Sequence, residues 1–328
     1  MSKRVLITRI LPELAGKMLI ENGFDVRIWD GENDLSAEAL VQEAKNADTI
    51  ITIGANRIDK EFLTSCRHLR LISQFAVGYD NIDVEAATAL NIPVANTPDA
   101  VTEATADIAF LLMQSVARKS MWLHKEILKG NWKRFEPVKN LGAELRGKTL
   151  GIFGLGRIGL AMARRCKGAF GMNVIYHNRN RNIEGEKEVG AQWVNFQDLL
   201  NQSDVISVHS VLSNETRGRF GAKEFQAMKR SVIFINTSRG GVVNESDLEH
   251  ALKSRMIWGA GLDVTDPEPM RKDHPLLELD NVCILPHVGS GTVETRNEMA
   301  RVAAQNIISY YETGAPVYCV NPTTLKKS

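Results

Sequence analysis

Three short segments each place a reactive side chain just beyond a run of strand-like residues. Phe234-Ile-Asn-Thr237-Ser238-Arg239-Gly240-Gly241 leaves an arginine among small residues, and Asp263-Val-Thr-Asp-Pro267-Glu268-Pro269 sets a glutamate between two prolines in a stiff loop. Leu285-Pro286-His287-Val288-Gly289-Ser290 ends a strand with a histidine. A guanidinium can grip a carboxylate through two parallel hydrogen bonds, and an imidazole can move a proton near neutral pH. A carboxylate beside that imidazole orients the ring and favours its charged form. Each residue also has a plainer reading alone: Arg239 as a surface charge, Glu268 as a loop carboxylate, His287 as a packed polar side chain. Loops at the C-terminal ends of strands in an open α/β sheet line the crevice where ligands bind, so the three gain weight together.

A second constellation says what would share that crevice. Thr149-Leu-Gly-Ile-Phe153 is a short apolar run of strand character, followed at once by Gly154-Leu-Gly156-Arg157-Ile158-Gly159, and Leu160 to Ala169 reads as a helix. Gly154 permits a tight turn, Gly156 lets backbone approach a pyrophosphate, and Gly159 lets helix and strand pack closely. The helix N-terminus then offers N–H groups to the phosphates. An ordinary glycine-rich loop is the alternative, but the strand before and the helix after favour a dinucleotide site. With Arg239, Glu268 and His287 beside it, the site suits hydride transfer to a 2-oxo acid.

The cofactor-selecting position lies about 20 residues further on, where an acidic residue would bond a free ribose. Asn178 stands there, followed by Arg179 and Arg181. A neutral side chain does not repel a 2′-phosphate, and two guanidiniums can pair with it. NADP(H) is therefore expected in preference to NAD(H), which is also admitted; a solvated basic turn is the plainer reading.

These residues need elements to hold them. Residues 3 to 96 alternate strand-like runs (Arg4–Thr8, Val26–Trp29, Thr49–Ile53, Leu71–Phe75, Ile92–Ala95) with helix-like ones, implying a parallel sheet covered on both faces. A long helix-compatible stretch, Ala104 to Lys129, follows the turn Asn96-Thr-Pro98-Asp99, and residues 130 to 137 read as an extended loop. After the glycine motif, strand candidates recur at Val174–Tyr176, Val205–Val208, Val232–Asn236, Gly259–Val264 and Val282–Leu285, with a final helix from Thr292 to Glu312. The expected fold is α/β, with two Rossmann- or flavodoxin-like doubly wound domains and a cleft between hinges near Asn96–Asp99 and Gly289–Gly291. Residues 1–99 and 290–328 would form a discontinuous substrate-binding domain, and 100–289 the NAD(P)-binding domain.

At 328 residues the chain has room for about two domains. A net charge of +1 gives no general attraction to nucleic acid or anionic membrane. Cys66, Cys166, Cys283 and Cys319 are scattered without metal-like spacing, so no metal site is expected, and reduced thiols suit a cytoplasmic protein. The opening Met1-Ser-Lys-Arg and its short apolar run do not suit a signal peptide, and no stretch is long enough to span a membrane.

Taken together, Gly151–Gly159, Asn236–Gly240, Gly261–Val264 with Glu268-Pro269, and Pro286–Ser290 resemble the D-isomer-specific 2-hydroxyacid dehydrogenases, over essentially the whole chain. Val77-Gly78-Tyr79-Asp80-Asn81, Thr102–Asp107 and His287–Arg296 are most similar to the glyoxylate/hydroxypyruvate reductase branch, which includes 2-ketogluconate reductases. The resemblance implies Arg239 on the substrate carboxylate, His287 as acid/base and Glu268 as its partner. It implies Val77 and Gly78 backbone N–H groups, with Ser290, on the substrate, Thr105 and Asp263 along the nicotinamide side, and Thr237, Arg239, His287 and Gly289 also on the cofactor. It further implies a homodimer, here through residues 102 to 146. One departure concerns the loop after the long helix: relatives place a tryptophan late in it, whereas here Trp132 is early and Phe135 and Lys139 follow. The chain ends at Ser328 without the C-terminal regulatory domain of many phosphoglycerate dehydrogenases. Two alternatives stay open: a dehydrogenase of another acid (phosphoglycerate, formate or phosphite), and a non-catalytic dinucleotide sensor of the corepressor kind.

Overall fold

A computed structural model describes residues 3–325. The chain divides into two compact units, Met1–Val101 with Gly291–Ser328, and Thr102–Ser290.

The first unit begins with β1 (Lys3–Ile7), α1 (Glu13–Glu21), β2 (Phe24–Ile28), α2 (Ala37–Ala44), β3 (Thr49–Thr52), α3 (Lys60–Ser65), β4 (Leu71–Gln74), α4 (Val84–Ala89) and β5 (Val94–Ala95). Its sheet is parallel throughout, in the order β2-β1-β3-β4-β5, the flavodoxin-like order. Every residue of β3 and β4 is buried, as expected of strands covered on both faces. Ser36, Asp59 and Asp83 cap α2, α3 and α4 by accepting first-turn N–H groups.

The second unit contains α5 (Thr102–Ala117), α6 (Ser120–Leu128), β6 (Thr149–Phe153), α7 (Arg157–Phe170), β7 (Asn173–His177), α8 (Ile183–Val189), β8 (Gln192–Trp193), α9 (Phe196–Gln202), β9 (Val205–Val208), α10 (Ala222–Ala227), β10 (Ile233–Asn236), α11 (Glu245–Lys253), β11 (Gly259–Leu262) and β12 (Val282–Ile284). The sheet order is β12-β11-β10-β9-β6-β7-β8, all parallel. Strand order reverses between β6 and β9, the switch point at which such sheets bind ligands. Alternation along the strands feeds two cores: Ile233 and Ile235 of β10 join Leu112, Met113 and Ala161, while Phe234 joins Leu199, Phe225 and Leu248. The chain then returns to the first unit as α12 (Val293–Thr313), which packs on α1, β3 and β4.

Two sequence expectations change, and two short helices had none. The helix-compatible stretch 104–129 is two helices, broken where Lys119 adopts a left-handed φ of 53°. The cause is distant in sequence: Ala143 N donates to Ala117 O at 2.8 Å, and Gly142 is pressed against the same carbonyl, where a Cβ would lie 2.5 Å from it. Helix α7 starts at Arg157 rather than Leu160, so the last glycine of the motif lies inside its first turn. The short helices α8 and α10 carry too few apolar residues to show a helical period. Among the described residues no helix is long and apolar enough to cross a membrane.

Candidate active site

The glycine turn lies at the C-terminal end of β6, beside the switch point of the second unit's sheet. Gly154 has φ +102°, and a Cβ there would sit 2.8 Å from His209 C and Ser210 N. A Cβ on Gly159 would meet Gly154 O at 2.5 Å, so these two glycines are demanded by packing of the protein on itself. Gly156 is different: nothing lies within 4 Å of the place a Cβ would take. It caps α7 without a side chain, which leaves the first-turn N–H groups for a ligand. Two buried hydroxyls on adjoining strand ends have no hydrogen-bond partner among the described residues, Ser210 Oγ just past β9 and Thr237 Oγ1 just past β10. An open glycine, an uncapped helix start and orphaned hydroxyls at adjoining strand ends fit a dinucleotide with phosphate and ribose oxygens to satisfy.

The cofactor-selecting turn after β7 is built differently from the sequence expectation. The Asn178 amide is spent on the glycine turn: Oδ1 accepts from Leu155 N at 2.7 Å and Nδ2 donates to Leu155 O at 3.3 Å. Arg181 is held by Glu186 through a pair of bonds, Nε–Oε1 at 2.9 Å and Nη2–Oε2 at 2.6 Å. That pairing, with the Tyr176 hydroxyl donating as well, brings the Glu186 carboxyl down to about 2. Arg181 is therefore held in place by Glu186, with its side chain still more than half exposed. Arg179 lies 3.6 Å from Glu215, with both side chains largely exposed, a contact of little strength in water.

The candidate proton-handling residues stand on neighbouring strand ends. His287 has φ 53°, held there because its own N–H donates to Asp263 O at 2.9 Å while Val288 N and Gly289 N donate to the Asp263 carboxylate at 2.8 and 2.7 Å. Asp263 is almost fully buried; burial raises its pKa, against the pull of those two N–H groups. Thr105 Oγ1 donates to Gly289 O at 3.1 Å, so its hydroxyl braces the same loop. The exposed His287 ring directs Nδ1 to Glu268 Oε2 at 2.7 Å, and Thr265 N donates to Glu268 Oε1 at 3.0 Å. Burial pushes Glu268 up, but the His287 hydrogen bond and charge, the Thr265 N–H and the charge of Arg239 outweigh it, and the carboxyl lies below its usual range. Arg239 follows β10 with Nη1 donating to Ser238 O at 2.8 Å; Asn236 fixes the turn by donating to Arg239 O at 2.9 Å and accepting from Ser238 N at 3.0 Å. Gly240 must lack a side chain because a Cβ would fall 2.1 Å from Thr265, which brings the arginine turn against the glutamate loop.

The second unit thus brings together Arg239, Glu268, His287, Asp263, Gly289 and Thr105, along with the glycine turn and Thr237. Val77 and Gly78 lie in the first unit, in the turn after β4. Ser210 and Glu186 escaped the sequence reading: Ser210 could have been found from its place after the strand that pairs with β6, whereas Glu186 is recognisable only once α8 folds back on β7. Among the described residues no group of three or more His, Cys, Asp or Glu is placed to hold a metal.

Comparison with known proteins bears on this arrangement. The family described as D-isomer specific 2-hydroxyacid dehydrogenase, NAD binding domain, matches residues 110–289. A glyoxylate reductase of Thermococcus litoralis is 44% identical over 332 residues, covering 100% of this chain and 99% of the relative. One of Korarchaeum cryptofilum is 42% identical, covering 99% and 98%. The crystal structure of an NADPH-dependent glyoxylate/hydroxypyruvate reductase from Sinorhizobium meliloti, in complex with NADP and malonate, is similar with a TM-score of 0.86 and 30% identity, covering 100% of this chain and 99% of that one.

Proposed function

The chain belongs to the D-isomer-specific 2-hydroxyacid dehydrogenases and is an oxidoreductase with a nicotinamide-dinucleotide-binding unit, and on that premise we propose that it reduces glyoxylate and related 2-oxo acids to D-2-hydroxy acids. Hydroxypyruvate and 2-ketogluconate are included, and NADPH is preferred over NADH. The observation that carries this reading is the 2.7 Å contact between His287 Nδ1 and Glu268 Oε2 on the strand-end edge that also holds Arg239. The relatives named glyoxylate reductase support the substrate class.

A dinucleotide held at the glycine turn would supply the hydride for carbon 2. His287 gives a proton from Nε2 to the oxygen on that carbon, and recovers it in the oxidative direction. Because Nδ1 is engaged by Glu268, one ring proton stays in place and Nε2 is the nitrogen left for substrate. Thr265 N–H keeps Glu268 from turning away. Arg239 pairs with the substrate carboxylate, a two-pronged task that lysine cannot repeat. In the first unit, the Val77 and Gly78 N–H groups serve the same kind of anion. Asn178, which brings no negative charge, and Arg179 support the preference for a 2′-phosphate.

The test follows oxidation of NADPH and NADH with glyoxylate, hydroxypyruvate and 2-ketogluconate, in the unaltered protein and in His287→Ala. Turnover should fall by about a hundredfold or more in the variant, with dinucleotide affinity little changed. Near-normal turnover in His287→Ala, or no reduction of any of the three acids by the unaltered protein, would overturn the reading.

A further inference from the structure

In the turn after β4, three consecutive backbone carbonyls of the first unit are tied down. Ala76 O accepts from Thr97 N at 2.9 Å, Val77 O from Asn96 Nδ2 at 2.8 Å, and Gly78 O from Gln74 Nε2 at 3.3 Å. In a planar trans peptide the N–H of the next residue lies opposite the carbonyl. Anchoring those three oxygens therefore fixes the N–H groups of Val77, Gly78 and Tyr79, which point away from the anchors. Among the described residues none of the three donates a hydrogen bond within the protein. Successive N–H groups held this way form a concavity that takes an anion.

Both amides are themselves oriented. Gln74 is fully buried, and its Nε2 also donates to Asn81 Oδ1 at 3.0 Å, while Asn81 Nδ2 donates to Ile53 O at 3.3 Å and Asn56 O at 2.8 Å. Flipping either amide would set oxygen against oxygen. Asn96 O accepts from Asn306 Nδ2 at 2.9 Å, and Asn306, buried in α12, accepts Tyr318 N at 3.0 Å. A relay of amides thus runs from α12 to the substrate turn.

We propose that Asn96 and Gln74 are positioning residues for substrate, setting the direction of three N–H donors, with Tyr79 N–H a third beyond those of Val77 and Gly78. This rests on the reading that the turn receives a carboxylate. Neither side chain is required to touch the substrate; each acts through the peptide plane it holds.

The test uses the full-length protein. Backbone amide NMR shifts of Val77, Gly78 and Tyr79 are followed while oxamate, an unreactive 2-oxo acid analogue, is titrated in. All three should move in the unaltered protein. In Asn96→Ala the Gly78 response should shrink and KM for glyoxylate should rise about tenfold, with kcat changed less. Dinucleotide affinity should stay the same, and the variants, although they melt lower for the hydrogen bonds they lose, should keep a single cooperative transition, which a general structural defect would not allow. Gln74→Met should act likewise through Tyr79, and Asn96→Ser is read the same way if Asn96→Ala does not fold. Unchanged KM and unchanged shifts in the variants would overturn the positioning role. Silence of all three amides in the unaltered protein would instead overturn the carboxylate reading beneath it.

Discussion

Removed from water, a carboxyl such as Glu268 would tend to keep its proton, yet its partners drive it the other way. The sign of the consequence follows. A carboxyl whose folded pKa is depressed contributes above its unfolded pKa, and that contribution is lost as pH falls through the lower folded value. The His287–Glu268 pair should therefore survive acidification past about 4.3, the usual glutamate value. In a pH–rate profile of glyoxylate reduction the acid limb assigned to Glu268 should lie below that value, and Glu268→Gln should lose the limb and run at a lower plateau. A limb at or above the usual value in the unaltered protein would contradict the pairing. The cofactor turn offers a second residue-level expectation. With Arg181 paired to Glu186, the proposed preference for NADPH would fall mainly to Arg179, so Arg179→Ala should weaken NADPH binding about tenfold, the scale of one charge-assisted bond, and hardly alter NADH. Equal affinity of the unaltered protein for the two dinucleotides would refute the preference.

At the scale of elements, the turn from β6 into α7 contains two glycines three residues apart with opposite reasons for being glycine. Gly156→Ala should leave Tm within a few degrees, because a Cβ there meets nothing, but should weaken dinucleotide binding about tenfold or more by crowding the phosphates. Gly159→Ala should lower Tm, since its Cβ would press on Gly154 O. Calorimetry of both variants with and without dinucleotide separates the two, and matching effects would show that the turn does not work as described. The turn could be read from sequence because strand, glycines and helix are contiguous there. The strand-end positions of Arg239, Glu268 and His287 were legible for the same reason, each following its own apolar run. The break at Lys119 was not, because it depends on Ala143 N reaching back to Ala117 O. Nor was the engagement of Arg181 and Asn178, whose partners Glu186 and Leu155 become neighbours only through folding.

At the scale of the molecule, the surface of the second unit has an apolar stretch with no cover in one chain. Helix α6 buries none of its residues, and Trp132, Phe135 and Val138 in the following loop are 74%, 86% and 82% exposed. Isolated exposed apolar residues need no explanation, but three large ones within one short loop suit an interaction surface. The expected occupant is a second copy, with a homodimer formed through residues 102 to 146. Sedimentation at micromolar concentration should give twice the 36.4 kDa chain mass, and a single species at the chain mass would exclude it. The return of α12 to the first unit has a consequence for how the chain is made. Met299, Val302, Ala303 and Ile307 of that helix complete the core that α1 and β4 begin, and Asn306 starts the amide relay that ends at Gly78. On a ribosome the first unit to emerge is thus the last to be finished: its sheet must wait, one face only partly covered, while nearly two hundred intervening residues are translated.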